Sequence, residues 1–129
     1  MRSDLVLKMS RQALLIIDHG SRRAEANASL EEVAAAIRKL RPELIVHFAH
    51  MSLAEPTIAQ GFEQCAREGA TEVIVHPYML GLGQHAAADI PKLAAEAAAA
   101  HPGVSFRVTP PLGFDEKLAQ LVLERAGLV

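Results

Sequence analysis

The chain has 129 residues, of which 50% are hydrophobic and 22% are charged, and its formal net charge at pH 7 is −2. These values suit one globular domain with a single core and exclude the strongly basic composition of a nucleic-acid-binding protein. No apolar run approaches the roughly 20 residues needed to cross a bilayer, and the single cysteine excludes an intrachain disulfide and favours a reducing compartment. We therefore expect a cytoplasmic protein without nucleic-acid or membrane partners.

Residues 1–12 contain too short an apolar stretch for a secretory signal, whose apolar region usually has about 7–15 residues. We interpret them as an N-terminal extension with a second candidate start at Met9, and residues 13–129 as one domain. Four segments of that domain have the composition of buried strands, namely 13–18, 44–51, 72–77 and 104–109. The first is continuously apolar up to its last residue, and the first three are rich in Ile, Leu or Val, which favours parallel strands covered on both faces.

Amphipathic helical patterns follow each predicted strand. Their apolar positions are Leu30, Val33, Ile37 and Leu40; Ile58, Phe62 and Cys65; a third helix from about Ile90 to Ala100; and Phe114, Leu118, Leu121 and Val122. Ser52 and Glu55 have capping-box spacing before the second helix, with Pro56 in its first turn. Asp89 is the predicted N-cap of the third helix, with Pro91 in its first turn.

The βαβαβαβα order predicts an α/β fold, a single doubly wound, mainly parallel four-stranded sheet with helices on both faces. Ligands of such sheets bind beyond the carboxyl ends of the strands. His19 follows the first strand, His50 and Ser52 end the second, and His85 lies at the predicted tip of a glycine-containing loop after the third. The remaining histidines are interpreted as structural; they are His47, His76 and His101.

A neutral imidazole can hold a divalent metal or accept a proton near working pH. The sequence has no CxxC and no HExxH, so a closed structural zinc site is not expected. An open site with few protein ligands would bind a metal loosely, which suits a metal that must be handed on.

Five motifs, in this order and spacing, resemble the sirohydrochlorin chelatases, the class II (CbiX/SirB-like) chelatases. They are HGSR (19–22), LAEPTI (53–58), PYMLGLGQHAAADIP (77–91), HPG (101–103) and PPLG (110–113). The resemblance implies a chelatase-like α/β fold and insertion of Co²⁺, Fe²⁺ or Ni²⁺ into a tetrapyrrole with acidic side chains, in cobalamin or sirohaem biosynthesis. It implies no organic cofactor, and a homodimer that closes the cleft between subunits.

By the same resemblance, His19 and His85 are the two site histidines. Gly20, Ser21 and Arg22 would meet substrate carboxylates near the start of the first helix, together with Arg23. A solvated helix start explains the arginines equally well.

The chain departs from the family where many members read AFxEL and use the glutamate at the site. Here the segment is AHMSL, so Ser52 replaces the glutamate and His50 the aromatic residue. Either His50 supplies the missing ligand or base, or Ser52 caps the second helix and the site has lost a group. Glu55 is a second candidate for the missing group, but it fits a capping box equally well. The alternative function is therefore a non-catalytic tetrapyrrole- or metal-binding protein. A histidine phosphatase is disfavoured because Asp18 stands where an arginine is needed.

Overall fold

The computed structural model of the protein describes residues 10–128. Most of the predicted N-terminal extension, residues 1–9, lies outside the described residues, as does Val129. The elements are Gln12–Asp18 (β1), Ala24–Leu40 (α1), Ile45–His50 (β2), Ile58–Arg67 (α2), Glu72–Pro77 (β3), Gln84–Ala99 (α3), Ser105–Val108 (β4) and Glu116–Arg125 (α4). None of these described helices is both long enough and apolar enough to cross a membrane.

The four strands form one sheet in the order β2-β1-β3-β4, and every neighbouring pair is parallel. The predicted α/β fold with a parallel four-stranded sheet is confirmed. The last residues of β1 and β2, Asp18 and His50, lie opposite each other, and Ile17 pairs with Pro77 at the end of β3. The carboxyl ends of these three strands therefore meet at one edge of the sheet.

Side chains of successive strand residues point to opposite faces of the sheet. Both faces therefore carry apolar side chains, and helices cover both. On one face, Leu15 and Val75 belong to a core that also contains Phe62 of α2 and Ile90 of α3. On the other face, a smaller core includes Ile16 and Leu30 and lies under α1. Helix α1 contacts β1 and β2, which leaves the β3–β4 half of this face less covered.

Helix α4 differs from the other helices, since none of its described residues is buried. Its amphipathic sequence predicted a packed face, yet Val122 is 65% exposed and Phe114, which precedes the helix, is 88% exposed. Exposed apolar side chains that cluster on one element are typical of a surface that another molecule covers.

The predicted starts of two helices are wrong. Thr57, not Ser52, caps α2: its side chain accepts a hydrogen bond from the Gln60 N–H, and the Gln60 side chain accepts one from the Thr57 N–H. Pro56 therefore precedes the helix. Helix α3 begins at Gln84 after the N-cap Gly83, so Asp89 and Pro91 lie inside it.

Candidate functional site

The first turn after β1 is pressed against the end of β2. The His19 carbonyl accepts hydrogen bonds from the Ser52 N–H at 3.1 Å and from the Ser52 hydroxyl at 3.3 Å. Gly20 has a φ of +87°, and a Cβ at this position would lie 1.8 Å from the Ser52 carbonyl oxygen. Only glycine fits this backbone conformation and this close approach. The turn thus holds His19 at the carboxyl edge of the sheet (the rim), with its side chain exposed to solvent.

His50 lies beneath this rim and is 1% exposed. Its Nδ1 is 2.6 Å from Oδ1 of Asp18, and its ring meets Phe48 edge-on at a centroid distance of 5.9 Å. The backbone N–H of His50 donates to the Pro56 carbonyl at 2.8 Å, where the chain returns toward α2. The predicted role of His50 as a metal ligand or base stays a prediction, and its ring is already engaged by a carboxylate.

Ser52 is exposed and its hydroxyl bonds only the neighbouring turn. The interpretation of Ser52 as a helix cap is wrong, because the N-cap of α2 is Thr57, five residues later. Glu55 is likewise no partner of Ser52 in a capping box, since its carboxylate accepts a hydrogen bond from Gln60 Nε2 at 3.2 Å. Ser52 is therefore free to face a ligand at the rim.

His85 lies in the first turn of α3 rather than at a loop tip, because the helix starts at Gln84, earlier than predicted. Its side chain is exposed. The preceding loop is tied to the segment after β4: the Leu112 N–H donates to Met79 at 2.9 Å and the Gly113 N–H to Leu80 at 3.0 Å. A helix N-terminus fixes the backbone at His85 more firmly than a free loop would.

Asn27 organises the segment between β1 and α1, and sequence reasoning missed it. Its Oδ1 accepts from the Ser21 N–H at 2.9 Å and its Nδ2 donates to the Ser21 carbonyl at 2.8 Å. The Ser21 N–H is thus occupied, and the Ser21 hydroxyl oxygen accepts from the Arg23 N–H at 3.0 Å. Arg23 forms an exposed ion pair with Glu25, whereas Arg22 is exposed without an ion pair among the described residues.

The other histidines are held by protein groups, which agrees with structural roles. His47 Nε2 lies 2.7 Å from a Glu68 carboxylate oxygen, and the His101 ring stacks on Phe62. His76 Nδ1 lies 2.8 Å from Thr109 Oγ1, and burial lowers the pKa of His76. Burial also raises the pKa of the Cys65 thiol to about 12, and Cys65 belongs to the core rather than to the exposed edge of the sheet.

Within residues 10–128, no three His, Cys, Asp or Glu side chains come together as a metal-binding group. His19 and His85 follow neighbouring strands, and they can offer a metal at most two imidazoles from one chain. A metal held this way keeps coordination positions for water or for another ligand.

The protein thus combines an all-parallel, doubly wound sheet with exposed histidines just beyond its carboxyl edge, and it is an α/β protein with its candidate site at the strand ends. The family model CbiX matches residues 13–127. The chain belongs to the CbiX family, and the resemblance to the sirohydrochlorin chelatases is confirmed.

Three relatives illustrate the similarity. The chloroplastic sirohydrochlorin ferrochelatase of Arabidopsis thaliana is 43% identical over 112 residues, which cover 87% of this chain and 50% of the relative. The sirohydrochlorin ferrochelatase of Bacillus subtilis strain 168 is 35% identical, with coverages of 89% and 44%. The sirohydrochlorin cobaltochelatase of Methanococcoides burtonii is 33% identical, with coverages of 88% and 92%. The chain spans about half the length of the first two relatives and nearly all of the third.

The solved structures agree with the fold. The crystal structure of the sirohydrochlorin chelatase SirB from Bacillus subtilis subspecies spizizenii, in complex with cobalt, matches with a TM-score of 0.82 and 32% identity. The match covers 91% of this chain and 50% of that chain.

Proposed function

We propose that the protein is a sirohydrochlorin chelatase, a metal-inserting lyase that places Co²⁺, Fe²⁺ or Ni²⁺ in a tetrapyrrole in cobalamin or sirohaem biosynthesis. The observation that carries the proposal is the exposure of His19 and His85 beyond the carboxyl ends of β1 and β3. Relatives named sirohydrochlorin ferrochelatase and sirohydrochlorin cobaltochelatase support sirohydrochlorin as the tetrapyrrole and iron or cobalt as the metal.

The chemistry requires the metal to lose water and two pyrrole nitrogens to lose protons. A neutral imidazole can act as a ligand or as a base, so His19 and His85 can share these tasks. Two neutral ligands fill only part of the coordination sphere of the metal, which permits its transfer to the macrocycle. Metal and tetrapyrrole are substrates here, and the proposal includes no organic cofactor.

The substrate carboxylates would meet the segment from Gly20 to Arg22. Arg22 offers an exposed guanidinium, and the Ser21 hydroxyl can donate its hydrogen while its oxygen accepts from Arg23. Ser52 is bonded to the His19 carbonyl, and its hydroxyl takes the place of the carboxylate of the family pattern. The burial of His50 favours action through its neighbours over direct contact with the metal.

We also propose that the protein forms a homodimer in which the second subunit covers the open rim. We propose that it acts in the cytoplasm. The exposed apolar side chains of α4 support the association, and the single cysteine supports the compartment.

The test is an anaerobic absorption assay with metal-free sirohydrochlorin and each of the three metals. Metal-dependent conversion faster than the protein-free reaction is expected for at least one metal. Tight sirohydrochlorin binding without acceleration would instead establish the alternative, a non-catalytic tetrapyrrole-binding protein, which the loss of the carboxylate at Ser52 favours. If the protein neither binds sirohydrochlorin nor converts it, both the chelatase and the tetrapyrrole-binding protein are refuted.

A further inference from the structure

One polar contact lies next to the turn that carries His19, and the proposed function gives it no direct contact with the metal. Asp18 is the last residue of β1 and His50 the last of β2, and the two lie opposite each other in the register of the sheet. We call them the Asp18–His50 pair. Their side chains meet at 2.6 Å, with His50 buried and the Asp18 side chain 23% exposed. A carboxylate oxygen only accepts hydrogen bonds, so Nδ1 of His50 carries the hydrogen that Asp18 receives.

The backbone around the pair carries the turn that presents His19. The Met51 N–H donates to the Asp18 carbonyl at 2.8 Å, and the Ser52 N–H donates to the His19 carbonyl. The His50 N–H anchors the returning chain at Pro56. The Asp18–His50 pair is thus the side-chain contact that joins the ends of the two strands from which His19 and Ser52 project.

The close packing above the pair makes the turn sensitive to it. A Cβ at Gly20 would lie 3.0 Å from the His50 Cβ as well as against the Ser52 carbonyl oxygen. Gly20 therefore lies next to the His50 Cβ, and a shift of His50 would displace the turn that carries His19. Small displacements of a reacting group lower rates strongly; about 1 Å can cost roughly 100-fold.

We propose that Asp18 and His50 are positioning residues that set the orientation of His19 through the turn, by the geometry of their hydrogen bond and not by the negative charge of Asp18. This inference rests on the role of His19 in the proposed function. It predicts that the side-chain length and the position of the accepting oxygen at residue 18 affect Co²⁺ binding and metal insertion more than the charge does.

Three substitutions of Asp18 separate geometry from charge. Asp18→Asn keeps the shape and an accepting oxygen but removes the charge. Asp18→Glu keeps the charge but lengthens the side chain, and Asp18→Ala removes the contact. The readouts are the visible absorption spectrum and affinity of bound Co²⁺, the insertion rate with sirohydrochlorin, and circular dichroism to establish folding.

We expect Asp18→Asn to remain within about threefold of the parent protein, and Asp18→Glu and Asp18→Ala to lose about tenfold or more in Co²⁺ affinity and rate, the range typical for groups behind a metal ligand. The opposite order, with Asp18→Glu active and Asp18→Asn impaired, would overturn the proposal. Parental Co²⁺ affinity and rate in Asp18→Glu would also overturn it. Should Asp18→Ala fail to fold, the Asn and Glu variants decide the question alone.

Two controls complete the design. His47→Ala breaks another histidine–carboxylate contact of the same strand, the 2.7 Å contact with Glu68, and should leave Co²⁺ binding unchanged. His19→Ala separates the two ideas. If it abolishes insertion while every Asp18 variant behaves as the parent, the positioning role fails and the proposed function stands. If the parent protein inserts no metal, the proposed function fails, and the Co²⁺ spectrum and affinity still decide the positioning role.

Discussion

Three histidines near one edge of the sheet have three different environments. His19 is exposed on a turn, His85 is exposed in the first turn of a helix, and His50 is buried against Asp18. Only an exposed imidazole can exchange a metal with solvent and substrate, so the two exposed residues suit direct chemistry. Buried polar groups are costly unless hydrogen-bonded, which is why His50 has a carboxylate partner.

His19→Ala and His85→Ala should each reduce metal insertion at least about 100-fold and leave the fold intact. Exposed rim side chains contribute little packing, so the free energy of unfolding should change by less than about 0.5 kcal/mol. Stopped-flow absorption with sirohydrochlorin and urea denaturation measure the two effects. His47→Ala is the matched control, and parental rates in either rim variant would remove that residue from the site.

Ser52→Glu should tighten Co²⁺ binding by about tenfold, because a carboxylate attracts a dication strongly in a partly dry cleft. Competition with a chromophoric chelator measures the affinity. Ser105→Glu is the control, since Ser105 is exposed at the start of β4, the opposite end of the sheet. Equal affinities of Ser52→Glu and the parent would place Ser52 outside the metal site.

Burial holds the pKa of His76 below its unfolded value of about 6.5. The unfolded chain therefore takes up this proton first as the pH falls. The contribution of neutral His76 to stability is complete above about pH 6.5 and decreases as the pH falls below that value. His76→Asn keeps a donor for Thr109 and should reduce the loss of stability between pH 7.5 and pH 5. Urea denaturation measures it, with His85→Asn as control; an unchanged pH dependence in His76→Asn would contradict this reasoning.

Among the elements, strands were predicted more accurately than helix starts, for a physical reason. The run from Ala13 to Ile17 is apolar throughout, which is typical of a strand covered on both faces. Helix α3 starts at Gln84 after a glycine cap that has no side chain to signal it. Pro91 lies well inside that helix and leaves the Ala87 carbonyl without its i+4 donor. A preference for proline in the first turn thus gave the wrong start.

The capping box at Thr57 predicts a specific stability difference. Thr57→Ala should lower the free energy of unfolding by about 0.5–2 kcal/mol, because the Gln60 N–H loses its acceptor. Ser52→Ala should change it by less than about 0.5 kcal/mol, since the lost hydrogen bond is long and exposed. Urea denaturation of both variants compares them directly. A larger loss for Ser52→Ala would return the cap to Ser52.

At the level of the complete chain, composition and strand order were enough to predict the α/β fold, and the motifs pointed to the family. The contact between Asp18 and His50 was not predictable, because it depends on the register of two strands separated by a helix. Asn27 was missed although its partner Ser21 is only six residues away, because its bonds depend on how the turn after β1 enters the first turn of α1. Neither contact follows from the spacing of apolar residues, from which the elements were predicted.

The unburied helix α4 predicts how the chain associates. Sedimentation should show a dimer at micromolar concentration, and Val122→Asp should shift it to monomer by placing a charge on the exposed apolar surface. Gln120→Asp, an exposed position of the same helix, should remain dimeric. A strictly monomeric parent that inserts metal would rule out the homodimer.

The burial of Cys65 has a practical consequence for labelling. The chain has one cysteine, and its thiol is fully buried with a pKa raised to about 12. A thiolate is the nucleophile that attacks an alkylating reagent, so the buried, protonated thiol of the native protein reacts poorly. A cysteine placed on an exposed, non-functional position such as Ser105 would be the single reactive thiol of each chain. One nitroxide or fluorophore per copy could then report distances between two copies in solution, without first removing a native residue from the core.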